Sequence, residues 1–197
     1  MRFYVWTYSE ADPSLAWIDE LPDGIAEKGY LLNEGAPCAG WFPADAALGI
    51  SDEYGIKLPD AIPNTALIHV VSDKLRKTLD ERSGASIEFL PVRILDKKRR
   101  PDKRTYQVMN LLGSVACLDR SRSDFDASHI VKDQVARFRT LVLDEARIGP
   151  HARLFRLADM PDLVLIREDL AAEIQAAMCT GMTFQRVEDY GSEYRDL

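Results

Sequence analysis

The 197-residue chain carries 32 acidic and 25 basic side chains, a formal net charge of −7, and is 46% hydrophobic and 29% charged. This balance excludes a disordered, fibrous or collagen-like chain, and a chain of this length buries enough surface to fold without disulfide staples. The charge is uneven: residues 1–63 hold 11 acids against 3 bases, and residues 64–110 hold 6 against 11, so the first third repels nucleic acid and either steers the chain towards a basic partner or simply keeps it soluble.

In chain order, RFYVWTY at 2–8 alternates aromatic and β-branched residues and predicts a strand. The start has no signal-peptide pattern, and no window approaches the roughly 20 apolar residues of a membrane span. A cytoplasmic location is expected. Proline and glycine punctuate the stretch to Pro63, which leaves room for one short helix near Ser14–Leu21, capped by Asp12 or Ser14, within a loop-rich segment. Loops on a rigid scaffold are where recognition gathers.

From Leu67 the pattern sharpens: a strand at 67–71, a helix with Ser72 as N-cap and Lys74, Arg76 and Lys77 on its outer side, release at Gly84, and a strand at 86–95. The basic run Lys97–Arg104 reads most simply as a solvated hairpin tip; a nucleic-acid patch is the alternative, with only Tyr106 nearby for base stacking. Residues 105–119 read as a strand, a break at Asn110–Gly113 and a second strand; SRSDFD reads as a turn; 138–144 and 153–157 read as strands, with a turn at 158–161. The tail EDYGSEYRDL is expected to fray.

The strand–helix–strand pattern of residues 68–92 reads as occurring again at 163–187. Val71 falls on Ile166, Leu75 on Leu170, Leu79 on Ile174, Phe89 on Phe184 and Val92 on Val187. All these pairs are apolar, so they belong to a core. The expected fold class is α+β, with a mixed or antiparallel sheet, strand pairing between the two related units, and a helix from each on one sheet face. Residues 1–63 are expected to form an acidic, loop-rich N-terminal portion with one edge strand and 64–197 the α+β core, in one continuous domain.

Chemistry has few carriers. His69, His129 and His151 lack ligand spacing, so no metal site is expected, and His69 in IHVV reads as a core histidine. Cys38, Cys117 and Cys179 show no CxxC spacing and read as reduced thiols. No nucleotide-cradling, metalloprotease or hydrolase motif is present. Asp119, Arg120 and Ser121 form the best polar cluster at a strand end, with turn formation as its simplest role.

The ordered segments IKLPDAIPNTALIHVVSDKLRKTLDE, IEFLPVRI, YQVMNLLGSVACLDRSRSDF, LVLDEARI, LFRL and LVLIREDLAAEIQAAMCTGMTFQRV, spanning residues 56–187, resemble immunity protein family eleven of bacterial polymorphic toxin systems. The resemblance implies a cytosolic antidote without enzymatic activity, catalytic residues or cofactor, which occludes a cognate toxin, with a basic toxin such as a nuclease suggested by the charge. Residues 1–55 match poorly, and toxin specificity is expected there. The interface is expected among Trp17, Asp19, Glu20, Asp23, Glu34, Trp41, Phe42, Asp45, Asp52, Glu53 and Tyr54, which mix aromatic anchors with steering acids. Trp17, Trp41 and Phe42 are equally suited to local core. A small-molecule-binding or regulatory domain, and an enzyme of unrecognised type, are the alternatives.

Overall fold

The computed structural model describes residues 1–9 and 12–192. Its strands are β1 (Phe3–Tyr8), β2 (Ala47–Gly49), β3 (Ala61–Ile62), β4 (His69–Ser72), β5 (Ile87–Leu95), β6 (Tyr106–Leu111), β7 (Asp124–Ala127), β8 (Val135–Thr140), β9 (Leu154–Leu157), β10 (Met160–Arg167) and β11 (Met182–Arg186). Its helices are α1 (Asp23–Ala26), α2 (Asp73–Arg82) and α3 (Glu168–Ala176), and a 3₁₀ turn covers Gly29–Asn33. The fold is α+β, as the sequence predicts.

The strands form a sheet ordered β11-β1-β10-β9, a second ordered β2-β5-β6-β4-β3, and the separate hairpin β7-β8. The two segments matched by sequence lie in different sheets, which corrects the expectation that they pair with each other. Each instead admits a third strand between its own two. β6 runs antiparallel to both β4 and β5, and β1 runs antiparallel to both β10 and β11, so β1 lies inside its sheet and is not the edge strand expected of the N-terminal portion. The segments meet through their helices and inner sheet faces. Val71, Leu75 and Leu79 share one cluster with Ile166, Leu170 and Ile174, and Phe89 and Phe184 pack against it.

Strand alternation sorts the remaining side chains. Phe3 and Val5 of β1, with Leu163 and Leu165 of β10, face outwards onto Cys117, Leu118, Val135, Phe138, Leu141 and Ile148. On the second sheet, Val70, Leu90, Val92, Ile94, Tyr106 and Val108 face the N-terminal loops, including Ile18, Ile25, Leu32, Phe42 and Leu48. The order is therefore loops, sheet, helices, sheet and a final irregular layer.

Ser72 caps α2 by accepting from the Leu75 N–H at 3.3 Å, as its position predicts, and donates its own hydroxyl to Asp60 at 2.7 Å. The helix expected at 14–21 does not form. Asp12 accepts from the Ser14 N–H and hydroxyl in a turn, and the chain then runs extended, bridging Leu15 to Lys57 and Ile18 to Asn64. Long-range backbone pairing overrides local helical preference here. The second strand expected within 105–119 is reduced to single bridges at Val115 and Leu118, and SRSDFD contributes to β7 as well as to a turn. In the acidic tail, Tyr190 packs on Phe138 at 6.4 Å between ring centroids, so the first part of the tail is docked. Residues 193–197 lie outside the described residues.

Candidate functional site

The N-terminal loops are held in place mainly through their main chain. Ser51 N–H donates to the Trp17 carbonyl at 2.8 Å, and Ala16 N–H to that of Lys57 at 2.9 Å. Glu88 of β5 accepts from the N–H groups of Cys38 and Ala39 at 2.7 and 3.1 Å. The basic run joins this system. Lys97 donates to the carbonyls of Asp52 and Tyr54 at 2.9 and 2.7 Å, Arg104 to that of Leu58 at 2.9 Å, and Arg93 to that of Asp45 at 3.1 Å. The run does form the tight turn expected from its sequence, but two of its cations also staple the loops.

These ties bring Asp19, Glu20, Asp23, Asp52 and Glu53 to the walls of one cleft of about 540 Å³, which Arg99 also lines. Arg99 is a non-glycine residue at φ +60, and its guanidinium lies over Gly49 where a side chain would collide with it. Ser51, buried in the cleft wall, accepts from the Glu53 N–H at 3.1 Å and sets the turn that carries both acids. Trp17 stacks on the exposed ring of Tyr54 at 5.0 Å and 21°.

The other expected interface residues are placed differently. Phe42 is buried in the core under the loops, and Trp41 packs on it at 5.9 Å with the Lys28 ammonium 6.0 Å from its ring, so this pair builds structure before surface. Glu34 and Asp45 are exposed and do not line the cleft. Sequence reasoning missed Arg99, whose approach to Gly49 depends on β2 pairing in parallel with β5. Its only sequence signal was membership of the basic run.

Asp119, Arg120 and Ser121 diverge. Asp119 accepts from the Ser121 hydroxyl at 2.7 Å and from two main-chain N–H groups, and the Ser121 hydroxyl foremost holds its carboxyl below the ordinary range. Arg120 turns away to Asp159 at 2.6 Å and lies 5.4 Å from the Phe125 ring. The cluster is a turn. Among the described residues no group of three or more His, Cys, Asp or Glu is placed to hold a metal ion, and no helix is long and apolar enough to cross a membrane. Cys38, Cys117 and Cys179 are free thiols.

Comparison with curated proteins returns no match. A protein-family comparison does, and its span runs from the first strand beneath the cleft to the turn after β11. The match covers residues 48–189, well over half of the chain, which therefore belongs to the immunity protein family (Imm11).

Proposed function

We propose that the chain is a cytoplasmic antidote of a polymorphic toxin system that binds one cognate toxin and blocks it by occupying its active site, without turnover of its own. Family membership supplies the class of function. The observation that favours a particular surface is the gathering of Asp19, Glu20, Asp23, Asp52 and Glu53 in one cleft, beside the stacked Trp17 and Tyr54. The first three acids lie before the family match and the last two within it, so the cleft joins a shared scaffold to a segment free to set specificity. Acids speed encounter with a basic toxin, and the aromatic pair offers the anchor on which binding energy concentrates. A standard interface of about 1,200–2,000 Å² requires both, together with the surrounding loops. The matching places of the two strand–helix–strand segments support reading them as an internal repeat, a scaffold with no chemistry of its own.

Co-expression with a candidate toxin from a neighbouring reading frame tests the reading. The expected result is rescue of growth and co-purification of the two proteins. A chain that neither rescues nor co-purifies ends it.

A further inference from the structure

β2 is the outermost strand of its sheet, and β5 is the one strand paired with it. Successive peptide groups of a strand turn to opposite sides, so a single neighbour engages only every second residue. The parallel register Ala47↔Arg93, Leu48↔Ile94 and Gly49↔Leu95 fixes which residues these are. Arg93 N–H donates to the Ala46 carbonyl at 2.9 Å, and Ile50 N–H to the Leu95 carbonyl at 3.0 Å. Ala46, Leu48 and Ile50 therefore bond to β5, and the N–H and C=O groups of Ala47 and Gly49 point away from it. Among the described residues, these outward groups have no main-chain partner.

Ala47 and Gly49 are also the β2 residues that line the cleft of about 540 Å³, whereas Leu48 between them is buried in the core. Gly49 has no side chain, so its share of the cleft wall is main chain. Across the cleft stand Asp19, Glu20 and Asp23, and no main-chain bond joins residues 19–23 to β2 among the described residues. The open side of the strand has thus not been closed by the loops above it.

An unpaired edge is a template for a further strand. Proteins commonly blunt such edges with Pro, Lys or a bulge, and the sequence Ala47–Gly49 has none of these. Its shortness limits an added strand to a few main-chain bonds, so side chains must supply the rest of the selectivity. The cleft offers five carboxylates against the single guanidinium of Arg99. That excess favours an incoming segment that carries lysine or arginine and opposes an acidic one.

We propose that the free edge of β2 receives an extended, basic segment of the partner as an added strand, its backbone held by Ala47 and Gly49 and its cations by the cleft acids. The identification of that partner as a toxin rests on the reading above.

The probe is an acetylated, amidated octapeptide alternating threonine and lysine, added to the full chain and followed by titration and by amide exchange. In the free chain the Leu48 and Ile50 amides should be protected, and those of Ala47 and Gly49 should exchange freely. The peptide should saturate with a Kd on the order of 1 mM and, near saturation, slow exchange at Ala47 and Gly49 about ten-fold. A threonine–glutamate peptide of equal length should bind about ten-fold more weakly. Spermine, a polycation without peptide groups, should leave both amides unprotected. Ala47→Pro removes one outward N–H and spares the bonds to β5, and should weaken the octapeptide about ten-fold. If that variant does not fold, exchange at Ala47 and Gly49 in the wild type decides the matter. Absence of saturation, unchanged exchange at both amides, equal protection by spermine, or equal binding by Ala47→Pro overturns the proposal. The two readings fail separately. A toxin that co-purifies while Ala47 and Gly49 still exchange freely overturns strand addition alone; a peptide that pairs with the edge while no toxin co-purifies overturns the antidote reading alone.

Discussion

Arg156 is the largest side chain with no exposure, and no carboxylate pairs with it among the described residues. Its guanidinium instead donates to three carbonyls from separate parts of the chain: Leu111 at 2.9 Å, Pro161 at 2.7 Å and Leu32 at 2.8 Å. Burial lowers its pKa to about 10, still far above neutrality, so a full charge sits between the sheets. Arg156→Met should cost about 2–4 kcal/mol in urea unfolding, because it strands three acceptors at once. Arg156→Lys should recover little, since one ammonium does not span the planar fork. The sequence offered no sign of this role. Arg156 alternates with apolar residues in RLFRL, and only the long-range positions of the three carbonyls distinguish it from a surface arginine. His69, by contrast, was legible as a core residue from IHVV. Its unfolded imidazole protonates near 6.5 and its folded one near 3. Its contribution is thus complete above about pH 6.5 and is lost as pH falls towards 3. Between about pH 7.5 and 4.5, wild type should lose about 2–3 kcal/mol more stability than His69→Phe. Equal losses would mean that the imidazole protonates without resistance.

At the scale of elements, α2 and α3 are each followed by a glycine in the left-handed region, Gly84 at φ +65 and Gly181 at φ +92. The two positions differ in surroundings. A Cβ on Gly84 meets nothing closer than the His151 carbonyl at 3.9 Å, whereas one on Gly181 lies 2.1 Å from the Ala61 carbonyl and 2.6 Å from Pro59. Gly84→Ala should therefore cost about 1–2 kcal/mol, from backbone conformation alone. Gly181→Ala should cost at least about 3 kcal/mol, because β3 must move away from the turn. Thermal unfolding of the two variants side by side measures the difference. Elements with strong local signals, such as β1, β4, α2 with its Ser72 cap, and β5, were readable in the sequence. The extended run at 14–21 and the insertion of β1 between β10 and β11 were not, because both are decided by pairing across more than 40 residues, as between Leu15 and Lys57 or Phe3 and Arg167.

For the whole molecule, the informative contrast is between a scaffold of buried apolar layers and a charged cleft assembled on its outside. The acids were legible as a compositional bias, and five of them converge; their shared geometry with Arg99 was not legible, since it needs the parallel β2–β5 pairing. If the cleft receives a basic toxin, Asp23→Lys and Glu53→Lys should each slow association about 3–10-fold at low ionic strength, with little effect on dissociation. The difference should shrink at about 0.5 M salt as screening shortens the reach of the charges. Rates that ignore both substitutions would move the interface elsewhere.

Lys97, Arg104, Arg93 and Glu88 grip the N-terminal loops by peptide groups, which every amino acid carries alike. At these points the fastening is blind to the side chains of the residues it holds, while Ile18, Ile25, Leu32 and Phe42 still have to fill the core beneath. Outward-pointing residues such as Asp52 and Tyr54 are open to replacement without loosening these ties; if the cleft receives a toxin, its outer surface can be rewritten while the bracket stays as it is.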